Sequence, residues 1–240
     1  MSKIKRPAFV LAVMTALAGV ASAQNMNELS DQEVSNRLTY IQTVLNEGQT
    51  KAKVWWYGWL VGYTGATAGQ MAFYAATDEQ KTKQDMAAGA GTTALGAVGL
   101  LIMPMDPARL PNDLRAIPAD TPEARRAKLA TAESYLRRSA AREASGRSWK
   151  VHALAAAVNL GAGLAIGLRH DRPFSDGLIT FAVGQLVSEA QIFTQPRRAI
   201  RDLREYEGRS DWSSASVRSE APREWYIGAS PSGFVVGLRF

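Results

Sequence analysis

The chain contains no cysteine among its 240 residues. Disulfide bonds therefore contribute nothing to its stability, and the fold must rest on the burial of side chains. The absence of cysteine is informative because the N-terminal sequence predicts that the protein is exported. Residues 1–23 join a basic start, an apolar stretch and a small-residue cleavage pattern, as is typical of a secretory signal peptide. We expect the mature chain to begin at Gln24, with an uncleaved anchor as the alternative.

Histidine is scarce, and recognisable catalytic motifs are absent from the sequence. His152 begins an apolar segment, where a packed or interfacial side chain is expected. His170 lies near Asp171 and Asp176, but this spacing matches no known metal-ligand pattern. The glycines do not form a phosphate loop, and no serine has the GxSxG setting. The sequence therefore predicts a protein that is not an enzyme and uses no cofactor or metal.

The excess of positive charge is small once the leader is removed. The full chain has 28 Lys+Arg and 22 Asp+Glu, a net charge of +6. Cleavage after residue 23 removes Lys3, Lys5 and Arg6 and leaves about +3. The remaining arginines are spread along the chain without interleaved aromatic residues. No nucleic-acid partner is expected from this pattern.

Four long stretches are almost free of charge and rich in small residues. They cover residues 54–76, 86–103, 151–168 and 177–194. Each pair is separated by a short polar loop, which predicts two apolar helical hairpins. Glu189 is the one carboxylate inside these stretches, and Gln185 precedes it by one helical turn. A buried carboxylate needs a partner, so we expect an arginine from a charged arm or, less simply, a ligand contact or catalytic base.

An amphipathic helix precedes each apolar hairpin. Residues 28–47 begin with the capping box formed by Ser30 and Glu33, and Gly48 is the predicted end. Residues 122–145 follow a Thr121 N-cap, with Gly146 as the predicted end.

A charged arm follows each hairpin, and the two arms are alike. Residues 107–115 and 196–204 share Pro, Arg, Asp, Leu and Arg at a constant offset. The predicted fold is therefore mainly α, with two tandem helical repeats in one bundle, residues 24–120 and 121–207. Each repeat would hold an amphipathic helix, an apolar helical hairpin and a charged arm.

The C-terminus has a different character. Residues 208–224 are polar and predict a linker, whereas residues 225–240 alternate in polarity around a Pro-Ser-Gly turn and predict a β-hairpin. Phe234 and Phe240 would lie on the apolar face of the last strand. A lone hairpin is marginally stable, so this face should dock on the bundle, on a second copy or on a partner. The ending resembles the closing strand of outer-membrane barrels.

The apolar hairpins leave the question of a membrane open. If the leader is cleaved, the segments outside the cytoplasm would carry every basic residue of the mature chain except Lys81, Lys83, Arg169 and Arg172. This distribution reverses the positive-inside bias of inner-membrane proteins. We therefore expect a soluble or peripheral bundle in the periplasm, or association with the outer membrane, where that bias does not apply.

The leading hypothesis is a non-enzymatic cell-envelope protein that scaffolds or binds at a membrane face, with a membrane surface, an envelope protein or a second copy as partner. The alternative is a periplasmic module that holds an apolar or lipid-like ligand between the hairpins. An outer-membrane β-barrel protein and an enzyme using Glu189 with His152 are further alternatives. The candidate ligand or partner contacts are Trp55, Trp56, Trp59, Gln185, Glu189, Phe234 and Phe240.

Overall fold

The computed structural model describes residues 29–170, 172–213, 224–230 and 233–239, and within them the protein is mainly helical. The predicted leader and most of the predicted linker lie outside the described residues. The helices are α1 (Asp31–Ala76), α2 (Gln80–Ile102), α3 (Asp106–Arg115), α4 (Pro122–Ser145), α5 (Trp149–Leu164), α6 (Phe174–Thr194) and α7 (Arg198–Gly208). A π-helical turn, Ala165–Arg169, continues α5. Strands β1 (Glu224–Ser230) and β2 (Gly233–Arg239) pair antiparallel, with Trp225 opposite Leu238.

Helix α1 shows that the predicted end at Gly48 was wrong. It runs for 46 residues and joins the first amphipathic segment to the first apolar segment without a break. A glycine inside a helix costs only about 1 kcal/mol relative to alanine. Burial beyond it offsets that cost: Ala52 is buried, and Gln49 donates to the Ala108 carbonyl at 3.2 Å and to Asn112 Oδ1 at 2.9 Å.

The N-caps of both amphipathic helices and the end of the second one are confirmed. Ser30 caps α1 by accepting a hydrogen bond from the Glu33 amide, and Thr121 caps α4 in the same way. Helix α4 stops at Ser145, directly before Gly146. The Glu33 side chain does not complete the capping box, because it pairs instead with Arg37 at 2.6 Å.

The first half of α1 packs with α3, α4 and α7 into a unit that we call the head, formed by residues 29–53, 104–148 and 195–213. Its core is a continuous apolar cluster from all four helices. Leu38, Ile41, Leu114, Leu129 and Leu136 are among its buried members. Trp212 packs against Tyr40 and Tyr206, so the head continues beyond α7.

The second half of α1 pairs with α2, and α5 pairs with α6, to give two helical hairpins. We call residues 54–103 and 149–194 the apolar unit. The second hairpin is closed by a backbone contact between two glycines: a Cβ on Gly163 would lie 2.5 Å from the Gly177 carbonyl oxygen. Close approach of this kind is typical of tightly packed apolar helices. Gly65 and Gly69, at the same spacing as Gly163 and Gly167, instead face open space.

The two regions differ in what they present to the outside. Among residues 29–170 and 172–213, all 23 exposed large apolar side chains belong to the apolar unit, from Val54 to Met103 and from Trp149 to Phe193. Two helical segments, Gln80–Arg115 and Trp149–Arg169, are long and apolar enough to cross a membrane by length and composition. The head, in contrast, buries its large apolar side chains and exposes charge.

A candidate ligand cavity between the two apolar hairpins

The two hairpins do not close on each other, and a cavity of about 520 Å³ lies between them. This volume falls in the range of roughly 300–1,000 Å³ that is usual for ligand pockets. The apolar part of its wall combines side chains from α2, α5 and α6, namely Leu95, Leu100, Leu154, Val158, Ile179, Val183 and Val187. Leu95, Leu154 and Val183 remain 57%, 62% and 58% exposed, so the cavity opens sideways between the hairpins.

Polar side chains in the wall are paired across the helices. The Tyr63 hydroxyl donates to Gln191 Oε1 at 2.9 Å, linking α1 to α6. The hydroxyls of Thr67 and Thr93 lie 2.8 Å apart, and the Thr93 hydroxyl also donates to Gln70 Oε1 at 3.2 Å. These pairs satisfy several of the polar groups inside an otherwise apolar unit, whereas Gln84 Oε1 is buried without a hydrogen-bond partner.

The end of the cavity far from the head is closed by an ion-pair cluster. Arg172, in the loop before α6, lies 2.5 Å from Asp85 Oδ1 and 2.8 Å from Asp176 Oδ2. The two carboxylates raise the pKa of the Arg172 guanidinium, chiefly through its hydrogen bond to Asp85. The positive charge at this end is therefore neutralised by the protein itself.

The end of the cavity next to the head is different, because its arginine is not fully paired. Arg142 of α4 donates from Nε to the Pro104 carbonyl at 3.1 Å and from Nη2 to the Met103 carbonyl at 2.8 Å. Its Nη1 is buried and has no hydrogen-bond partner. Desolvation lowers the pKa of this guanidinium, against the opposing charges of Asp106 and Glu143. The cavity thus has one under-paired cation, at one end.

The second hairpin carries a polar cluster on the face next to the cavity wall. His152 Nδ1 lies 2.8 Å from Glu189 Oε2, and Gln185 donates to Glu189 Oε1 at 2.7 Å. Asn159, which lines the cavity, donates to Ser188 Oγ at 3.0 Å and to Gln185 Oε1 at 3.3 Å. The expected arginine partner of Glu189 is therefore replaced by a histidine from α5.

This cluster has the donors and acceptors of a proton-transfer pair. The groups bonded to Glu189 among the described residues are an imidazole and an amide. The nearby Ser188 hydroxyl donates to the Gly184 carbonyl at 3.0 Å. The cluster accounts for Glu189 as a carboxylate that is paired inside the second hairpin.

The three candidate tryptophans of α1 act as ties between helices. The indole N–H groups of Trp55 and Trp59 both point to Thr194 Oγ1, at 3.3 and 3.1 Å, and Trp56 donates to the Leu100 carbonyl at 3.1 Å. Of the three, only Trp55 lines the cavity. These contacts fit the packing role that is common for buried tryptophan with a satisfied N–H.

The remaining candidate contacts cannot be placed in the cavity. Phe234 belongs to β2, and Phe240 lies outside the described residues. His170 ends the π-helical turn, and no group of metal-binding side chains occurs in the described part of the chain.

Two residues of the cavity were not singled out from the sequence. Asn159 carried a usable signal, because it is a lone amide in an apolar stretch. Arg142 carried none, since it belongs to an arginine-rich helix in which Arg137 and Arg138 follow the same pattern.

No protein-family model, curated protein sequence or solved structure matches this chain.

Proposed function

We propose that this protein is a non-enzymatic envelope protein whose apolar unit is embedded in a bilayer and whose head is an interaction surface at the membrane face. The observation that carries the proposal is the exposed apolar surface of the apolar unit. A monomeric soluble protein rarely exposes an apolar patch of more than a few hundred Å². Here the exposed side chains come from all four helices of the unit.

The length and charge of the four helical segments match a hydrocarbon layer. Charged side chains are absent from residues 54–77, 86–105 and 151–168, and Glu189 is the only one in residues 177–196. A helix needs about 20 apolar residues to cross a bilayer. Charges return at both ends of every segment, for example at Lys53 and Asp78 around the first.

Polar groups within the four segments are arranged as a lipid environment requires. Intramembrane polar residues normally face the bundle interior and bond to one another. The Tyr63–Gln191 and Thr67–Thr93 pairs lie between helices, and the carboxylate of Glu189 is bonded on both oxygens. These pairings support the bilayer proposal.

The predicted leader and the charge distribution favour the outer membrane with the head on the periplasmic side. A cleaved leader would start Gln24 outside the cytoplasm, and the basic head would follow it. The positive-inside bias opposes this orientation in the inner membrane and has no hold in the outer one.

Fractionation of the native envelope tests this proposal. We expect the protein to stay in the membrane pellet after high salt and after alkaline carbonate, and to be released only by detergent. A Leu160→Lys, Leu186→Lys variant, which places two charges on the exposed apolar surface outside the cavity, should shift protein out of the pellet. Ala130→Lys on the exposed surface of α4 is the matched control and should behave as wild type. Full release of the wild-type protein by carbonate would reject the bilayer proposal.

The cavity supports a second function, binding of an apolar or lipid-like ligand between the hairpins. Its apolar wall and sideways opening suit a ligand that enters from a lipid layer. Mass spectrometry of the protein purified in mild detergent should reveal a co-purifying lipid. A Val183→Trp variant, which places a large side chain in the cavity, should lose that lipid while remaining folded.

We also propose that the two halves of the chain arose by duplication. The order of elements supports this: α3 packs on the first half of α1, as α7 packs on α4, and each half holds one hairpin. The equivalent aspartates of the two arms differ, since Asp113 is exposed and Asp202 is buried.

The proposed C-terminal hairpin would act outside the bundle, and deletion of residues 225–240 should alter association or localisation without loss of helical content.

A further inference from the structure

The cavity is long and has an arginine at each end, and only one of these arginines is under-paired. Along α6 its lining residues extend from Asp176 to Gln195, a length of about 28 Å at 1.5 Å per residue. This length and the apolar wall suit a ligand with an extended acyl chain.

The ends of the cavity give the ligand a polarity. Arg172 at the far end has two carboxylate partners, so an anion placed there would meet Asp85 and Asp176. Arg142 at the head end has a buried Nη1 without a partner. A buried charged donor without a partner is unfavourable, and an anionic oxygen at this end of the cavity would supply the missing hydrogen bond once the guanidinium turns toward it.

The chain makes room for this guanidinium at a specific position. A Cβ on Gly146 would lie 2.6 Å from Arg142 Nη1 and 2.2 Å from Gln195 Oε1. Gly146 therefore leaves space for the Arg142 and Gln195 side chains at the head end of the cavity. The Gln195 amide is held by a 2.8 Å bond from Nε2 to the Glu143 carbonyl. The two remaining hydrogen bonds of Arg142, to Met103 and Pro104, fix its orientation against the end of α2.

We propose that the cavity binds a single-chain anionic amphiphile, with its acidic headgroup against Arg142 and its chain extended along α6 toward Arg172. This inference rests on the ligand-binding function proposed above and adds the chemical class and orientation of the ligand. The shared chemistry is an anionic oxygen on one acyl chain, as in a fatty acid or a lysophospholipid with a free phosphate. The amphiphile would enter through the sideways opening next to Leu154 and Val183.

Quenching of tryptophan fluorescence by brominated chains measures the binding, because Trp55 lines the cavity. The full-length protein in a nonionic detergent is titrated with dibromostearic acid at pH 8. Competition with unlabelled chains of equal length then compares a carboxylate, a lysophosphatidic acid, a neutral alcohol and a quaternary ammonium. We expect both anions to compete at least about tenfold better than the alcohol, and the cation least. The better of the two anions identifies the natural headgroup class.

Substitutions separate the headgroup from the cavity. Arg142→Gln should weaken anion binding on the order of tenfold and leave the alcohol unchanged, because the charge-assisted hydrogen bond to the headgroup is lost. Arg137→Gln, on the exposed surface of α4, is the control and should bind as wild type. Val183→Trp should weaken all chains alike.

The outcomes distinguish the inference from the function on which it rests. Equal competition by anion and alcohol in the wild-type protein would overturn the headgroup assignment, whatever the stability of Arg142→Gln. Loss of binding in Val183→Trp together with that result would keep the ligand-binding function and reject only the anionic headgroup. If no chain competes and Val183→Trp has no effect, both the inference and the ligand-binding function are wrong.

Discussion

The head and the apolar unit are built from the same kind of helix but stabilised in different ways. The head is laced by ion pairs between helices, such as Arg126 with Asp31 at 2.7 Å and Arg138 with Asp106 at 3.3 Å. In the described part of the apolar unit, ion pairing is limited to the Arg172 cluster at its far end and the His152–Glu189 contact. The head thus has the arrangement that is usual for packing in water, with apolar side chains buried and charges paired at the surface.

The apolar unit presents the inverse arrangement. Its polar groups pair between the helices and many of its large apolar side chains are exposed, as Leu160 and Leu186 illustrate. Helix α1 passes through both regions, and its exposed side chains change from polar to mainly apolar near Val54. The comparison teaches that a change in surface character need not coincide with a boundary in secondary structure.

Removal of a large side chain should affect the two regions very differently. Leu129 is fully buried in the head core, whereas Leu160 is 50% exposed on the apolar unit. Leu129→Ala should lower the free energy of unfolding of the head by about 2–5 kcal/mol, and Leu160→Ala by less than about 0.5 kcal/mol. Thermal denaturation in detergent, followed by circular dichroism, measures both. Equal losses would mean that the exposed surface of the apolar unit is buried in the folded protein.

The two charged arms should differ in the same direction. Asp202 is 3% exposed and lies 3.1 Å from Arg198 Nε and 3.5 Å from Arg201 Nη2, whereas Asp113 is exposed. Asp202→Ala should cost about 2 kcal/mol, because Arg198 loses a buried partner and keeps only Glu47. Asp113→Ala should change stability by less than about 0.5 kcal/mol. Chemical denaturation of both variants tests this, and equal costs would show that the two arms are equivalent after all.

A pH dependence should also appear, confined to the head. Glu143 is 2% exposed, and burial raises the pKa of its carboxyl to about 7, with the nearby charge of Asp202 adding to the rise. The amide of Ile200 and the positive charge of Arg142 act in the opposite direction. A raised acid pKa means that the folded state holds a proton which the unfolded state has released.

Stability of the head should therefore fall as the pH rises from about 4.5 to about 7, by at most about 1.4 kcal/mol per pH unit, and level off above that window. Asp202, whose pKa is also raised by burial, adds in the same direction. Glu143→Gln should flatten most of the slope, and denaturation midpoints at pH 5, 6, 7 and 8 measure it. A wild-type midpoint that rises with pH across this window would contradict the assignment.

Much of the helical architecture could be predicted, because its signals are local. Ser30 and Thr121 are capping residues in standard positions, and Gly146 follows the last helical residue of α4 as expected. Gly48 misled the prediction because its residue type indicates a stop, whereas burial on both sides of it favours continuation. Whether a glycine ends a helix is decided by tertiary packing that local sequence does not contain.

Only part of the candidate site could be predicted from the sequence. Glu189 and Gln185 stood out as polar residues in an apolar stretch, and His152, expected to be a packed histidine, was paired with Glu189 only in the enzyme alternative. The contact between His152 and Glu189 depends on the register of α5 against α6, and the close contact between Gly163 and Gly177 sets that register. Arg142 could not be distinguished from its neighbours, because its special feature is the unpaired Nη1 that only the three-dimensional arrangement creates.

The central claim is that the outer surface of the apolar unit faces hydrocarbon, and fluorescence quenching tests it most directly. The absence of cysteine allows a single label at Leu160→Cys in the apolar unit or at Ala130→Cys in the head. In reconstituted vesicles, we expect the Leu160 label to be quenched by phospholipid brominated on its acyl chains and to be protected from aqueous iodide. The Ala130 label should show the reverse. A Leu160 label that iodide quenches as strongly as the Ala130 label, or that neither quencher reaches because a second copy covers it, would contradict the account.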